Sequence, residues 1–170
     1  MKITKLLTAI AAGVCTVAAA GSVYAATYYI SPNGNDAAAG TSPEEAWATV
    51  KKVSQSSFYP GDKILFEAGG VWSGQCYPKG SGEEGNPIYI GKYGEGEMPI
   101  INADVEGLRT GGALALYNQS WWPIEDLELT NGGEGYKWKY GLSIYNEGVS
   151  MPGYKLCLLY DLITIFIIRR

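Results

Sequence analysis

Histidine is absent from this chain of 170 residues. That absence removes Ser-His-Asp and Cys-His nucleophilic catalysis, His-ligated zinc and any imidazole pH switch. Cysteine is scarce: there are 3, without metal-ligand spacing, so the chain is not a disulfide-stapled scaffold. Basic groups number 13 against 17 acidic ones, and a net charge of −4 argues against nucleic acid as a partner. Apolar runs fall short of the roughly 18–20 residues that a membrane-crossing helix needs. What is abundant is glycine (23), tyrosine (13) and tryptophan (5), in a chain that is 46% apolar and 18% charged. That balance excludes disorder and collagen and suits a folded, turn-rich domain.

Residues 1–25 read as a secretory signal. Lys2 and Lys5 supply the positive start, Leu6 to Ala20 the apolar run, and Val23-Tyr24-Ala25 a small-x-small cleavage site. Cleavage is expected after Ala25, giving a secreted, periplasmic or extracellular product with no stable membrane span. Cys76 and Cys157 then remain, either paired in an oxidising compartment or as two isolated thiols.

A helix is expected over 43–55. Ser42-Pro43-Glu44-Glu45 supplies a capping serine, proline at the first helical position and glutamate three residues after the cap. Trp47, Val50 and Val53 share one face, with Lys51 and Lys52 pointing away. After it come short strands of period two: Ile64/Phe66, Ile88/Ile90, Leu114/Leu116 and Leu142/Ile144, each bounded by Gly, Asn or Pro. These pairs begin 24, 26 and 28 residues apart. A drifting repeat of that size, with several strands per repeat, is a solenoid signature. A bend at Glu125-Asp126 would let Ile124 and Leu127 both face inward. Asn102, Asn118, Asn131 and Asn146 follow strand-like stretches where a left-handed corner is needed. The expected class is all-β: a right-handed parallel β-helix (solenoid) fragment of about four coils with one N-terminal capping α-helix, over 26–149.

Four stretches carry a family resemblance: TYYISPNGNDAAAGTSPEEAWATV (27–50), PGDKILFEAGGVWSGQ (60–75), GSGEEGNPIYIGKYGEGEMPIINAD (80–104) and ALALYNQSWWPIEDLELTNGG (113–133). Together they resemble the N-terminal part of secreted right-handed parallel β-helix proteins, the group of pectate lyases and related polysaccharide lyases. The resemblance implies β-elimination on a pectin-like acidic polysaccharide, with calcium as the family's metal. The alternative is a non-catalytic secreted carbohydrate-binding or surface β-helix protein. No position matches a complete family active site. From Ser150 the pattern departs. Leu156 to Ile168 is apolar, broken by Asp161 and ended by Arg169-Arg170, and reads as the tail of a truncated or frame-shifted product. Its segment Leu162–Ile168 has the composition of an aggregation-prone strand, or of a cap folding back on the last coil.

Tyr136-Lys137-Trp138-Lys139-Tyr140 is the candidate substrate surface. Alternation puts Lys137 and Lys139 on one side and the aromatic rings on the other, where rings stack on sugars and lysines meet carboxylates; an ordinary half-buried strand alternates in the same way. Arg109 is a further candidate carboxylate ligand, or else a solvated loop charge. Asn33-Gly34-Asn35-Asp36 is oxygen-rich like a calcium loop, with an Asx-type turn as the preferred reading. Glu83, Glu84, Glu95, Glu97, Glu125, Asp126 and Glu128 could in principle supply a glycosidase pair, which needs a separation of roughly 5–9.5 Å across a cleft.

Overall fold

The computed structural model describes residues 25–103, 111–131, 139–145 and 147. Eight short strands dominate: β1 (Thr27–Ile30), β2 (Lys63–Glu67), β3 (Val71–Ser73), β4 (Tyr89–Tyr93), β5 (Ile100–Asn102), β6 (Gly111–Tyr117), β7 (Glu128–Thr130) and β8 (Lys139–Tyr145). They form three sheets, ordered β1-β2-β4, β3-β5-β7 and β6-β8, and every strand pairing is parallel. Parallel neighbours cannot be joined by a hairpin, so the chain must leave each sheet and return. It does so in a fixed order. From β2 it passes to β3 and then to Cys76, which bridges Leu114 of β6. From β4 it passes to β5 and β6. From Ile124, which bridges Ile90 of β4, it passes to β7 and β8.

Stacked registers put like residues over like. Tyr28, Ile64 and Ile90 form one rung, Trp72, Ile101 and Leu129 another, and Leu114 and Leu142 a third. The inward faces of all three sheets contribute to one apolar cluster, with Ile64, Phe66, Ile90, Ile101 and Leu114 removed from solvent altogether. Each such side chain stabilises the fold by about 1.5–3 kcal/mol relative to an exposed position. The indole N–H groups of Trp47, Trp72 and Trp122 are each taken up by a backbone carbonyl, of Ala38, Ala48 and Gly80.

Period-two alternation therefore reads correctly for the individual strands, but the four apolar pairs do not form one ladder. Ile64 pairs with Ile90, whereas Leu114 pairs with Leu142 and Cys76 on a different sheet. The regular spacing in sequence mixes two faces. The inward bend at Glu125-Asp126 is present: Asp126 is left-handed, with φ 53°, and Ile124 and Leu127 are both buried. Asn118 is likewise left-handed at the end of β6, with φ 52°.

The helix expected over 43–55 is broken in two. Pro43–Glu45 is a 3-10 turn, and the α-helix, α1, is confined to Val50–Gln55. Ser42 makes no side-chain cap; the Glu44 carboxyl is held below its ordinary pKa first by its own backbone N–H and then by the Ser42 hydroxyl. Between the pieces Ala46 is extended, and Trp47 bridges Ile30 as an added edge of the first sheet. The backbone of Trp47 donates to Tyr29 and accepts from Ser31. Tertiary pairing has outcompeted a local helix signal. The operative cap is Thr49, whose hydroxyl accepts from the Lys52 N–H at 3.1 Å. Trp47, Val50 and Val53 are buried as the amphipathic reading expects.

Candidate functional site: an aromatic face on the third sheet

Alternation along β6 and β8 turns Leu114, Leu116 and Leu142 into the core, which leaves Ala115, Ser143, Tyr117 and Tyr145 on the outward side. Tyr117 and Tyr145 are register partners, and their rings stack with centroids 4.9 Å apart and planes 18° from parallel. The Cys76–Leu114 bridge extends this surface by one strand. Cys76 donates to Ala113 and accepts from Ala115, so Tyr77 follows on the outward side beside Ala115. Tyr77 is 37% exposed and Tyr117 43%.

The rim of this face is polar and fixed. The Tyr117 hydroxyl donates to Glu147 Oε2 at 3.0 Å. Left-handed Asn118 turns the chain here: its N–H donates to the Tyr145 carbonyl, and its side-chain oxygen accepts from the Glu147 N–H at 2.7 Å. The Glu147 hydrogen bond, then desolvation and the negative charge of Glu147, raise the Tyr117 phenol above its ordinary pKa, with Tyr145 and Tyr77 adding to the effect. At neutral pH the phenol is therefore a donor, and the carboxylate keeps acceptor capacity for a second hydroxyl. Partly exposed rings edged by such groups offer apolar surface and hydrogen-bond partners of the kind that a sugar's C–H faces and hydroxyl rim need.

Of the residues singled out in the sequence, Arg109, Lys137 and Trp138 lie outside the described residues. Lys139 opens β8 in register with Gly111, at the opposite end of the strand from Tyr145. Tyr140 falls opposite Gly112 on the Leu142 side, as alternation requires. The loop at Asn33–Asp36 is a structural turn. Asn35 accepts from the Ala37 N–H, and Asp36 accepts from the N–H groups of Ala48 and Thr49 and from the Thr49 hydroxyl. Among the described residues no group of three or more Cys, Asp or Glu is gathered where a metal could sit. Cys76 is a buried free thiol, and Cys157 lies outside the described residues. Glu83, Glu84, Glu95, Glu97, Glu125, Asp126 and Glu128 are all exposed.

Tyr77, Tyr117, Tyr145 and Glu147 were missed in the sequence. A signal existed: Leu114-Ala115-Leu116-Tyr117-Asn118 and Leu142-Ser143-Ile144-Tyr145-Asn146 are two copies of one short pattern. Copies that stack must bring their tyrosines together.

A largely parallel β chain with tyrosines on an outer face is similar, in sequence and in fold, to enzymes named as lacto-N-biosidases. In an alignment of 130 residues that covers 62% of this chain, it is 31% identical to the lacto-N-biosidase of Bifidobacterium longum subsp. longum. The structure superposes on the GH136 lacto-N-biosidase of Eubacterium ramulus with a TM-score of 0.60 and 26% identity over 70% of this chain. A second structure of that enzyme, the native protein, gives a TM-score of 0.58 at 23% identity. The chain spans only 8% of the length of the first relative and 24% of the first E. ramulus chain. No protein-family model matches it.

These findings correct the expected kinship with pectate lyase-like polysaccharide lyases. The relatives are glycoside hydrolases, which add water across the glycosidic bond instead of eliminating it. Neither β-elimination nor non-catalytic binding is what these relatives do.

Proposed function

We propose that this chain forms part of a secreted glycoside hydrolase, wound as a right-handed parallel β-helix, that acts on oligosaccharides containing lacto-N-biose. The observation that carries the reading is the 31% identity to a lacto-N-biosidase over 130 residues. The repeated order of visits to three parallel sheets supports the solenoid, because stacked coils bury each other's apolar rungs. The signal-like residues 1–25 support export. A neutral disaccharide offers no charge to pair with, so its recognition falls to stacking and hydroxyl hydrogen bonds. Tyr77, Tyr117, Tyr145 and Glu147 supply both, and we assign them to glycan binding. An acidic polymer is not the substrate class that these relatives indicate.

The test combines binding and turnover. Titration of the chain with lacto-N-biose, followed by tyrosine fluorescence and NMR, should give saturable binding. Tyr117→Ala should weaken that binding by roughly tenfold, the loss of one good stacking contact. A chromogenic lacto-N-bioside should release its aglycone in the presence of the longer enzyme that contains this sequence. Binding of polygalacturonate but not of lacto-N-biose would refute the reading.

A further inference from the structure

Asp62, at the turn into β2, is 1% exposed. Its carboxylate is held by two backbone N–H groups: Oδ2 accepts from Tyr59 at 2.9 Å and Oδ1 accepts from Ala26 at 2.8 Å. Both donors are neutral in the uncut chain. Among the described residues its carboxylate meets only these neutral donors, which makes its burial costly, and a cation at the same point would relieve it. Ala26 is also the residue that follows the small-x-small site Val23-Tyr24-Ala25. Cutting the Ala25–Ala26 bond with water turns the Ala26 amide nitrogen into an α-amino group, which is largely protonated at neutral pH.

We propose that removal of the leader between Ala25 and Ala26 creates an ammonium group that docks on buried Asp62 and locks the first strand. The position is already built. The Ala26 carbonyl accepts from the Lys63 N–H at 2.8 Å, and Thr27 then enters β1 opposite Lys63, so the nitrogen is held from its C-terminal side. The remaining backbone groups of Asp62 are fixed as well, its N–H to Tyr59 and its carbonyl to Tyr89. The 2.8 Å separation falls within the 2.7–2.9 Å range of charge-assisted pairs. Gly61 lies against Ala25: a Cβ built on it would sit 3.0 Å from the Ala25 methyl and 2.9 Å from Asn86 Oδ1. Departure of Ala25 therefore opens space at an exposed point, beside a depression of about 340 Å³ lined by Gly61, Lys63, Asn86, Pro87 and Tyr89. Residue 26 is the place where a new terminus gains a partner. A cut elsewhere would leave Asp62 with a neutral amide or with nothing.

This inference rests on the export reading, and the experiment separates the two. The full precursor is secreted from a bacterial host, and the product's N-terminus is read by sequencing and intact mass. In parallel, a fusion whose protease leaves Ala26 as first residue is compared before and after cutting, for wild type and for Asp62→Asn. The expected results are a secreted product that begins at Ala26 and a rise in Tm of about 3–6 °C on cutting, with the rise abolished by Asp62→Asn. Should Asp62→Asn fail to fold, labelling of the Ala26 amine by an amine-reactive reagent decides: it should be at least about tenfold slower in the native than in the denatured cut protein. A product that begins elsewhere, no Tm rise on cutting, or free labelling of the amine would each overturn the proposal. Normal export with no Tm rise would refute the lock and leave the export reading standing.

Discussion

Removing the Asp36 carboxylate should loosen the junction between β1 and α1 without touching the apolar core. In the folded chain Asp36 Oδ1 accepts from the N–H of Ala48 at 2.8 Å and of Thr49 at 3.0 Å, and Oδ2 accepts the Thr49 hydroxyl at 2.6 Å. These bonds hold the segment that carries buried Trp47 into the Thr49 cap. Hydrogen bonds to a charged acceptor are worth about 1.5–3 kcal/mol each when buried, and Asp36 is half-buried, so solvent reduces the total well below the sum. Asp36→Ala should therefore cost about 2–3 kcal/mol, because two N–H groups lose their acceptor together. Asp36→Asn keeps the Oδ1 acceptor and should cost about 1 kcal/mol. At about 2–4 °C per kcal/mol for a chain of roughly 150 residues, the alanine variant should melt about 4–12 °C lower, with asparagine between it and wild type. Thermal unfolding by circular dichroism reads this directly. In a Thr49→Val background the Asp36→Ala penalty should shrink, since one of the three bonds is already gone. Equal melting of the alanine and asparagine variants, or a change below about 0.5 kcal/mol, would refute the reasoning. So would a wild-type Tm that rises with added calcium and an Asp36→Ala Tm that does not, since Asp36 would then be acting as a calcium ligand.

The remaining predictions address backbone, thiol and phenols. Gly80→Ala should abolish accumulation of soluble protein, because its Cβ would lie 2.1 Å from the Phe58 carbonyl oxygen at φ +116°. Gly69→Ala, with φ +72° and open space around it, should cost only about 1 kcal/mol of left-handed strain. Cys76 should resist thiol reagents at pH 8 until the chain unfolds, since burial pushes its thiol up to about 12; peptide mapping after timed labelling measures it. Tyr89 and Tyr93 are pushed up from 10.0 to about 12, first by burial and then by Glu125 and Glu67 respectively. The folded chain thus holds those protons more tightly than the unfolded one. Their contribution to stability is complete below pH 10 and is lost as pH rises toward about 12, a loss that alkaline denaturant titration should detect.

Much of the local structure was legible in the sequence because it depends on neighbours two residues apart. The alternation of Ile64/Phe66, Ile88/Ile90 and Leu114/Leu116 identifies which side of each strand is buried, and packing had only to agree. The left-handed corner at Asn118 and the bend at Glu125-Asp126 were legible too, but Asn102 and Asn131 are not left-handed whereas Trp121 is, with φ 61°, so residue type alone does not place a corner. Three things depended on partners far along the chain. Whether 43–49 becomes helix was decided by Ile30 and Tyr29, whose sheet edge takes Trp47 before a helix can propagate through it. Which apolar pairs stack was decided by the path of the chain around the sheets, so that Leu114 meets Cys76 and Leu142 and not Ile90. The aromatic face arose the same way: alternation alone puts Tyr117 and Tyr145 outward, but only parallel register brings two tyrosines 28 residues apart into ring contact. Sequence determines which face a side chain takes, because that is set by the backbone's own period. Tertiary structure decides which other residue it meets there, because register between distant strands is settled only when their apolar faces are buried together.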